Sequence, residues 1–414
     1  MRGCALGVPF VLLPAASRNC SNWQAFRRRA GRFPLLITGR SSSVAETILI
    51  TGGAGFIGRC LARQLVSRGY DVRVLDSLID QVHGGRERPE GLPDAVDLVT
   101  GDVRDAAALD RALAGVDKVV HLAAEVGVGQ SMYEVGRYVS VNDHGTAILF
   151  ERLIERPVKR IVTASSMSIY GEGLYRTQDG GLIEDAVRTP RAGPDAPWDP
   201  VDEKGRALMP VPTPESKRPT LASVYALTKY VQERLTLTLA PAYGMEGVAL
   251  RLWNVYGPGQ ALSNPYTGVL AIFSSRLHNN QRPMIFEDGE QRRDFVHVED
   301  VAQAFVLALE HERAPGQVYN VGSGQDRSVS EVAALLARAM GKEGLDPEIT
   351  GKARIGDIRH CIADIGKIQR ELGYAPRRDF QEGLAELAEW VALQQAQDRV
   401  QEARSELEKR GLVA

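Results

Sequence analysis

The stretch Ile48-Leu49-Ile50-Thr51-Gly52-Gly53-Ala54-Gly55-Phe56-Ile57-Gly58 decides how the chain is read. Three apolar residues run straight into a glycine-rich turn, and a helical pattern follows from Phe56 to about Arg68. Gly52 permits the tight turn out of a strand, Gly55 lets backbone approach a pyrophosphate, and Gly58 lets the new helix pack closely on the sheet. The first helical turn, at Phe56 and Ile57, offers free N–H groups to phosphate. The spacing is Gly-x-x-Gly-x-x-Gly rather than Gly-x-Gly-x-x-Gly, and glycine triplets also mark ordinary turns. Context decides between the two. A second strand pattern, Asp71-Val72-Arg73-Val74-Leu75, ends in Asp76, about twenty residues on, where a carboxylate accepts a ribose 2′-OH. The same carboxylate repels a 2′-phosphate, so the expected cofactor is NAD rather than NADP.

The composition excludes several classes of function. A chain of 414 residues has ample core for one large α/β unit or two domains. Fifty basic and fifty-two acidic residues leave a net charge of −2, which points to neither a nucleic-acid nor a membrane partner. Cys4, Cys20, Cys60 and Cys361 show no C-x-x-C spacing, which favours reduced thiols and argues against a structural metal. No run of about eighteen apolar residues occurs, so no membrane span is expected, and the reading is of a cytoplasmic protein.

Residues 1–46 stand apart as a leader. Up to residue 45 they hold seven arginines, several serines, no Asp or Glu, and an apolar run from about Gly7 to Ala16. A mitochondrial transit peptide, a secretory signal and a dispensable leader all match this composition, and the last is preferred. From Thr47, strand patterns at 47–51, 72–76, 97–101, 118–123 and 159–165 alternate with helical patterns at 56–68, 105–115 and 131–156. Such alternation implies βαβ units and a parallel, doubly wound sheet. A polar stretch, 171–220, reads as a long loop, either a lid or partly disordered. A helix (223–240), a strand (247–255) and helices at 266–278, 299–311, 328–340 and 380–408 follow. The charged end, 394–414, reads as a solvated helix.

Two further patterns carry chemistry. Tyr225-Ala226-Leu227-Thr228-Lys229 places a phenol and an ammonium on one helix face. An ammonium or a positive nicotinamide ring nearby favours phenolate, which could take or return a proton at a carbinol. The strand Arg160 to Ala164 runs into Ser165-Ser166-Met167-Ser168-Ile169-Tyr170-Gly171, and strand-end hydroxyls sit where open α/β sheets bind ligands. Either pattern alone is common by chance. The ordered set of glycine turn, acidic ribose reader, serine and Tyr/Lys pair is not.

With these residues in view, the chain resembles the extended short-chain dehydrogenase/reductase family, in its nucleotide-sugar epimerase and dehydratase branch, over roughly residues 47–393. The resemblance implies a Rossmann-type domain at 47–250, holding NAD, and a smaller α/β substrate part at 251–393. Gly101-Asp102-Val103-Arg104-Asp105 matches the motif whose Asp meets adenine, which implies that role for Asp102 beside Val103. His121-Leu122-Ala123-Ala124 matches the strand beneath the cofactor, and Asn142 with Gly145-Thr146 a structural helix motif. Ser166 aligns with the catalytic Ser/Thr, beside Tyr225 and Lys229. The resemblance also implies that Asn254, Arg293 and Arg354 hold a substrate diphosphate and that Asp357 lies near the nucleoside ribose. Two guanidiniums suit a diphosphate physically as well. The bland alternative for Arg293 is an ion pair with Asp294, and His121 and His297 read as structural.

Two departures narrow the implied activity. Family 4,6-dehydratases follow the catalytic Thr with Asp-Glu, where this chain has Met167-Ser168, and UDP-galactose-type epimerases carry a Lys near Val126, absent here. With Asn264-Pro265-Tyr266-Thr267-Gly268 and Gly356 to Cys361, the chain is most similar to the dTDP-L-rhamnose 4-epimerase group. The implied reaction is transient oxidation to a 4-keto sugar and return of hydride to its opposite face, on a dTDP- or UDP-sugar. Net oxidoreduction or decarboxylation of a nucleotide sugar, and a non-catalytic NAD sensor or scaffold, stay open, though the intact Tyr/Lys pair speaks against the last. The family's usual homodimer would form through helices 131–156 and 223–240.

Overall fold

The computed structural model describes residues 45–85, 87–188, 197–264, 266, 268–354, 356–394 and 398–413. The leader therefore lies outside the described residues. A seven-stranded, wholly parallel sheet organises the rest, built from β1 (Thr47–Thr51), β2 (Asp71–Asp76), β3 (Asp97–Thr100), β4 (Lys118–His121), β5 (Arg160–Ser166), β6 (Glu246–Leu252) and β7 (Val318–Val321). Its spatial order is β7-β6-β5-β4-β1-β2-β3. Ile48, Leu49 and Ile50 are fully buried, as expected of a central parallel strand covered on both faces. This is the expected doubly wound α/β fold. The sheet also runs across a boundary drawn at residue 250, because β7 comes from the later part of the chain and pairs with β6.

The glycine turn owes its shape to close backbone approach. Gly52 has φ +68°, and a Cβ there would stand 2.7 Å from the Ala123 amide nitrogen. At Gly58 a Cβ would lie 2.4 Å from Gly53 Cα, so the helix Phe56–Ser67 rests directly on the turn. That helix buries Leu61, Ala62 and Leu65, which join the central core with β1 and β2.

Three sequence expectations need correction. The single helix at 131–156 is four pieces, Val128–Ser131, Val135–Tyr138, a π-helical segment Val139–His144, and Gly145–Glu155. The widened segment holds fully buried Asn142, whose Oδ1 accepts from Glu125 N at 2.7 Å and whose Nδ2 donates to Thr228 Oγ1 at 2.9 Å. The stretch 171–220 is not a plain loop. Leu174–Arg176, Leu182–Ile183 and Met209–Val211 form a small antiparallel sheet. Glu172 fastens its start by accepting from Arg359 N, and Arg359 is buried among Asp199, Glu287 and Asp288. Finally, 380–408 divides into helices Phe380–Ala392 and Val400–Lys409.

Beyond β6, Asn254–Tyr256, Arg292–His297, Asp326–Ser328 and His360–Cys361 make a second sheet at the carboxyl ends of the large one. It carries Asn254 and Arg293 towards the same space as Ser166.

Candidate active site

A cavity of about 650 Å³ opens at the carboxyl ends of β1, β2, β4 and β5, where open α/β sheets bind ligands. Every site residue expected from the sequence lines it, from Gly52 and Asp76 at one end, past Ser166, Tyr225 and Lys229, to Asn254, Arg293, Arg354 and Asp357 at the other.

At the first end, the helix Phe56–Ser67 begins at Gly55 with no side-chain cap and no acidic residue in its first turn. Its N–H groups at Phe56, Ile57 and Gly58 therefore suit an anion. An added Cβ on Gly55 would meet only Gly52 O, at 3.3 Å, so the space beside it belongs to the cavity. A pyrophosphate fits this cradle. Asp76 is buried and oriented by amides, accepting from Ala54 N and Leu78 N at 3.0 Å each, with His83 Nε2 3.4 Å away. Asp102 also lines the cavity, but Arg104 grips its carboxylate through Nη2 (2.6 Å) and Nε (2.8 Å).

Midway, Ser223 caps the helix Val224–Ala242 by accepting from Ala226 N, and this helix presents Tyr225 and Lys229. The sequence suggests that the ammonium lowers the phenol's pKa. In the protein alone burial is the larger effect and pushes Tyr225 up, while the adjacent Ser166 hydroxyl acts the other way. Burial also pulls Lys229 down to about 7, opposed by Glu233. Lys229 Nζ donates to Gln232 Oε1 at 2.6 Å rather than to the phenol. Gln232 in turn donates to Thr146 Oγ1 at 2.9 Å and lies against His121. His121 ring nitrogens are 2.7 Å from Thr51 Oγ1 and 2.8 Å from Thr146 Oγ1. Burial, then Lys229, lowers its pKa to about 3, so it stays neutral and structural as expected. A continuous polar network thus links the glycine turn to the lysine.

At the far end, Asn254 Nδ2 donates to Asp294 O, and Arg293 Nη1 donates to Arg359 O at 2.7 Å. Asp294 does not pair with Arg293. It is fully buried and accepts from Ser323 N and Gly324 N at 2.7 Å each. Asp357 pairs with Arg354 at 2.9 Å and lies 3.8 Å from Arg293, so one carboxylate positions both guanidiniums. Burial opposes its ionisation, and the two arginines more than offset that.

Several lining residues had escaped sequence reasoning. Trp253 Nε1, Gln260 Oε1 and Gln291 Oε1 are buried without a partner among the described residues. No spacing marks such polar atoms in advance. The helix Val400–Lys409 was expected to be solvated, yet Val400, Ala403, Arg404 and Leu407 line the cavity. Its signal was present, since Val400, Ala403 and Leu407 share one helical face. Among the described residues no cluster of metal-ligating groups occurs, and no helix is long and apolar enough to cross a membrane.

A parallel sheet in this order, a glycine turn followed by a buried aspartate at the end of β2, and a Ser/Tyr/Lys set beside them are the marks of an NAD-binding enzyme of the short-chain dehydrogenase/reductase kind. The chain belongs to the NAD dependent epimerase/dehydratase family, whose model matches residues 48–194 and 205–322. It is 37% identical to the dTDP-L-rhamnose 4-epimerase of Burkholderia thailandensis, over 84% of this chain and 95% of that protein. Among solved structures, it resembles UDP-glucose 4-epimerase of Thermotoga maritima with UDP-glucose (31% identity, TM-score 0.67). That match covers 83% of this chain and 98% of the other. It also resembles UDP-glucose 4-epimerase of Thermus thermophilus in complex with NAD (30%, TM-score 0.64), with the same coverage of both chains.

Proposed function

We propose that the protein is an NAD-dependent nucleotide-sugar 4-epimerase acting on dTDP-L-rhamnose, with dTDP-6-deoxy-L-talose as its product. The observation that carries the reading is the single cavity joining the glycine cradle, the Ser/Tyr/Lys set and the paired arginines. Bound NAD supplies a hydride acceptor that can give the hydride back. Arg293 and Arg354 supply the positive charge that holds the diphosphate, and Asn254 orients it. Ser166 holds the sugar 4-OH, and Tyr225 takes its proton as the carbon is oxidised and returns it on reduction. Lys229, when charged, favours the phenolate through its position one turn along the same face. Retention of the 4-keto sugar between the two transfers makes net redox zero.

Elimination of water is disfavoured by what the site contains. Met167 and Ser168 occupy the positions expected of a dehydratase acid pair. The other lining carboxylates are already engaged: Asp76 by amides, Asp102 by Arg104, Glu125 by Arg137 at 2.8 Å, and Asp357 by Arg354. The 37% relative favours a dTDP-sugar, and the likeness to the Thermotoga enzyme keeps a UDP-sugar as second reading. A homodimer through the two helical segments agrees with exposed Val135, Val139 and Leu227 on them.

The test is incubation of the purified protein, without added cofactor, with dTDP-L-rhamnose, UDP-glucose and UDP-glucuronate in turn, products being read by NMR. An isomerised dTDP-sugar with no net change in nicotinamide absorbance is expected. Isomerised UDP-glucose alone would establish the second reading, and oxidised or decarboxylated product dependent on added NAD⁺ would remove the epimerase reading.

A further inference from the structure

The helix Val400–Lys409 is charged along most of its length, yet it is docked rather than solvated. Ala403 and Leu407 are 7% and 6% exposed, and Leu407 methyls would lie 3.5 Å from a Cβ added to Gly129. Polar ties hold both flanks: Asp398 to Arg276 at 3.3 Å, Glu408 to Lys352 at 3.0 Å, and Val413 in a backbone bridge with Arg354. The Arg410 guanidinium lies 4.4 Å from the centre of the Tyr133 ring. The segment after residue 398 is therefore bound to both walls of the far end of the cavity.

Arg404 is the polar side chain that this helix turns towards the cavity. Its Nε donates to Glu408 Oε1 at 2.9 Å, and its Nη1 reaches only Met284 Sδ, a weak acceptor, at 3.2 Å. Its remaining donors have no partner among the described residues. Glu408 is shared with Lys352, so two cations face one carboxylate and a positive charge is left over. Two residues beyond Met284, the Phe286 ring carries the Arg354 guanidinium at 4.7 Å. Arg404 and Arg354 thus flank one short segment of chain and enter the same space.

We propose that the C-terminal helix is part of the substrate site, with Arg404 as a third guanidinium for a nucleoside diphosphate. Val400, Ala403 and Leu407 form the apolar wall beside the nucleoside. The guanidinium adds a cation with donors to spare at an end where Arg293 Nη1 is already given to the Arg292 and Arg359 carbonyls. The assignment rests on the nucleotide-sugar reading and concerns binding, not proton transfer.

It is tested on the full-length protein by calorimetric titration with UDP and dTDP, with bound NAD and melting temperature measured alongside. Arg404→Ala should weaken the preferred diphosphate on the order of tenfold, the size of one charge-assisted hydrogen bond, with NAD content and melting unchanged. Arg404→Lys should fall between, because it keeps charge but loses the fork. Leu407→Asp, which charges the apolar wall, should weaken the same ligand. If Arg404→Ala or, should that variant fail to fold, Arg404→Gln binds as tightly as the wild type, the assignment is overturned while the epimerase reading stands. If the wild type binds neither diphosphate, both are overturned together.

Discussion

The two ends of the cavity are built on different plans. The end proposed for the cofactor comes from residues 51–124, and its polar groups are mostly backbone: an uncapped helix start and a glycine turn, beside a carboxylate set by two amides. The end proposed for the substrate is gathered from Asn254, Arg293, Arg354 and a helix some fifty residues further on, and its polar groups are side chains, Arg354 and Arg404 being held by carboxylates. A backbone site tolerates almost no change of residue, because it depends on missing Cβ atoms. A side-chain site can exchange its ligands while the strands beneath stay as they are. The comparison teaches why one fold can keep one cofactor and serve many sugars.

Substitutions can break this comparison, the largest effect falling where the two ends meet. Tyr225→Phe should lower turnover by roughly 10²–10⁴-fold while bound NAD and diphosphate affinity are kept. Steady-state kinetics showing near-normal turnover would take Tyr225 out of the chemistry. Arg359→Met strikes the charge cluster behind Arg293, leaving Glu287, Asp288 and Asp199 without their shared cation. It should destabilise the protein by about 3–5 kcal/mol in urea unfolding. A loss below about 1 kcal/mol would mean that the charges of that cluster are solvated.

Two glycines divide the cofactor end itself. Gly58→Ala drives a Cβ into Gly53 backbone and should cost about 1–3 kcal/mol of stability. Gly55→Ala places its methyl in the cavity, so stability should move by less than about 0.5 kcal/mol while NAD affinity falls about tenfold. Equal melting losses in both variants would show that the turn is a packing device and not a cradle.

The smallest test is a trend with pH. Burial lowers the folded pKa of Lys229 to about 7, so the unfolded chain holds more protons between there and about 10.5. Stability from this group must therefore rise with pH across that window. Below pH 7 the native protein bears the full cost of burying the charge, and above 10.5 none. Lys229→Met, which carries no charge, should gain most over the wild type near pH 6.5, with the gain fading by pH 10. Urea midpoints that differ by a constant amount across the range would refute the buried-charge account.

The legible parts of the site share one property, that each lies within a local motif. Gly52, Gly55 and Gly58 with Asp76 span one βαβ unit, and Tyr225 and Lys229 span one helical turn. Arg293 was placed by resemblance, while its true partner Asp357 lies 64 residues away and its neighbour Asp294 turns into the core. The stretch 171–220 looked like a loop because polar residues there satisfy Arg359 and His360, which are remote in sequence. Lys229 carries the same lesson in electrostatics. Spacing gives its place on the helix, but burial by distant strands decides its charge.

The parallel sheet, the glycine turn that opens the first helix and the Tyr/Lys pair one helical turn apart follow from the sequence alone, because apolar period, glycine spacing and helical offset act over a few neighbouring residues. Only the tertiary structure decided the π-helical insertion at Val139–His144, the small sheet after Gly171 and the docking of the C-terminal helix beside Arg354. Those depend on which charges and apolar faces meet after the chain has closed over hundreds of residues, and no local pattern records such meetings.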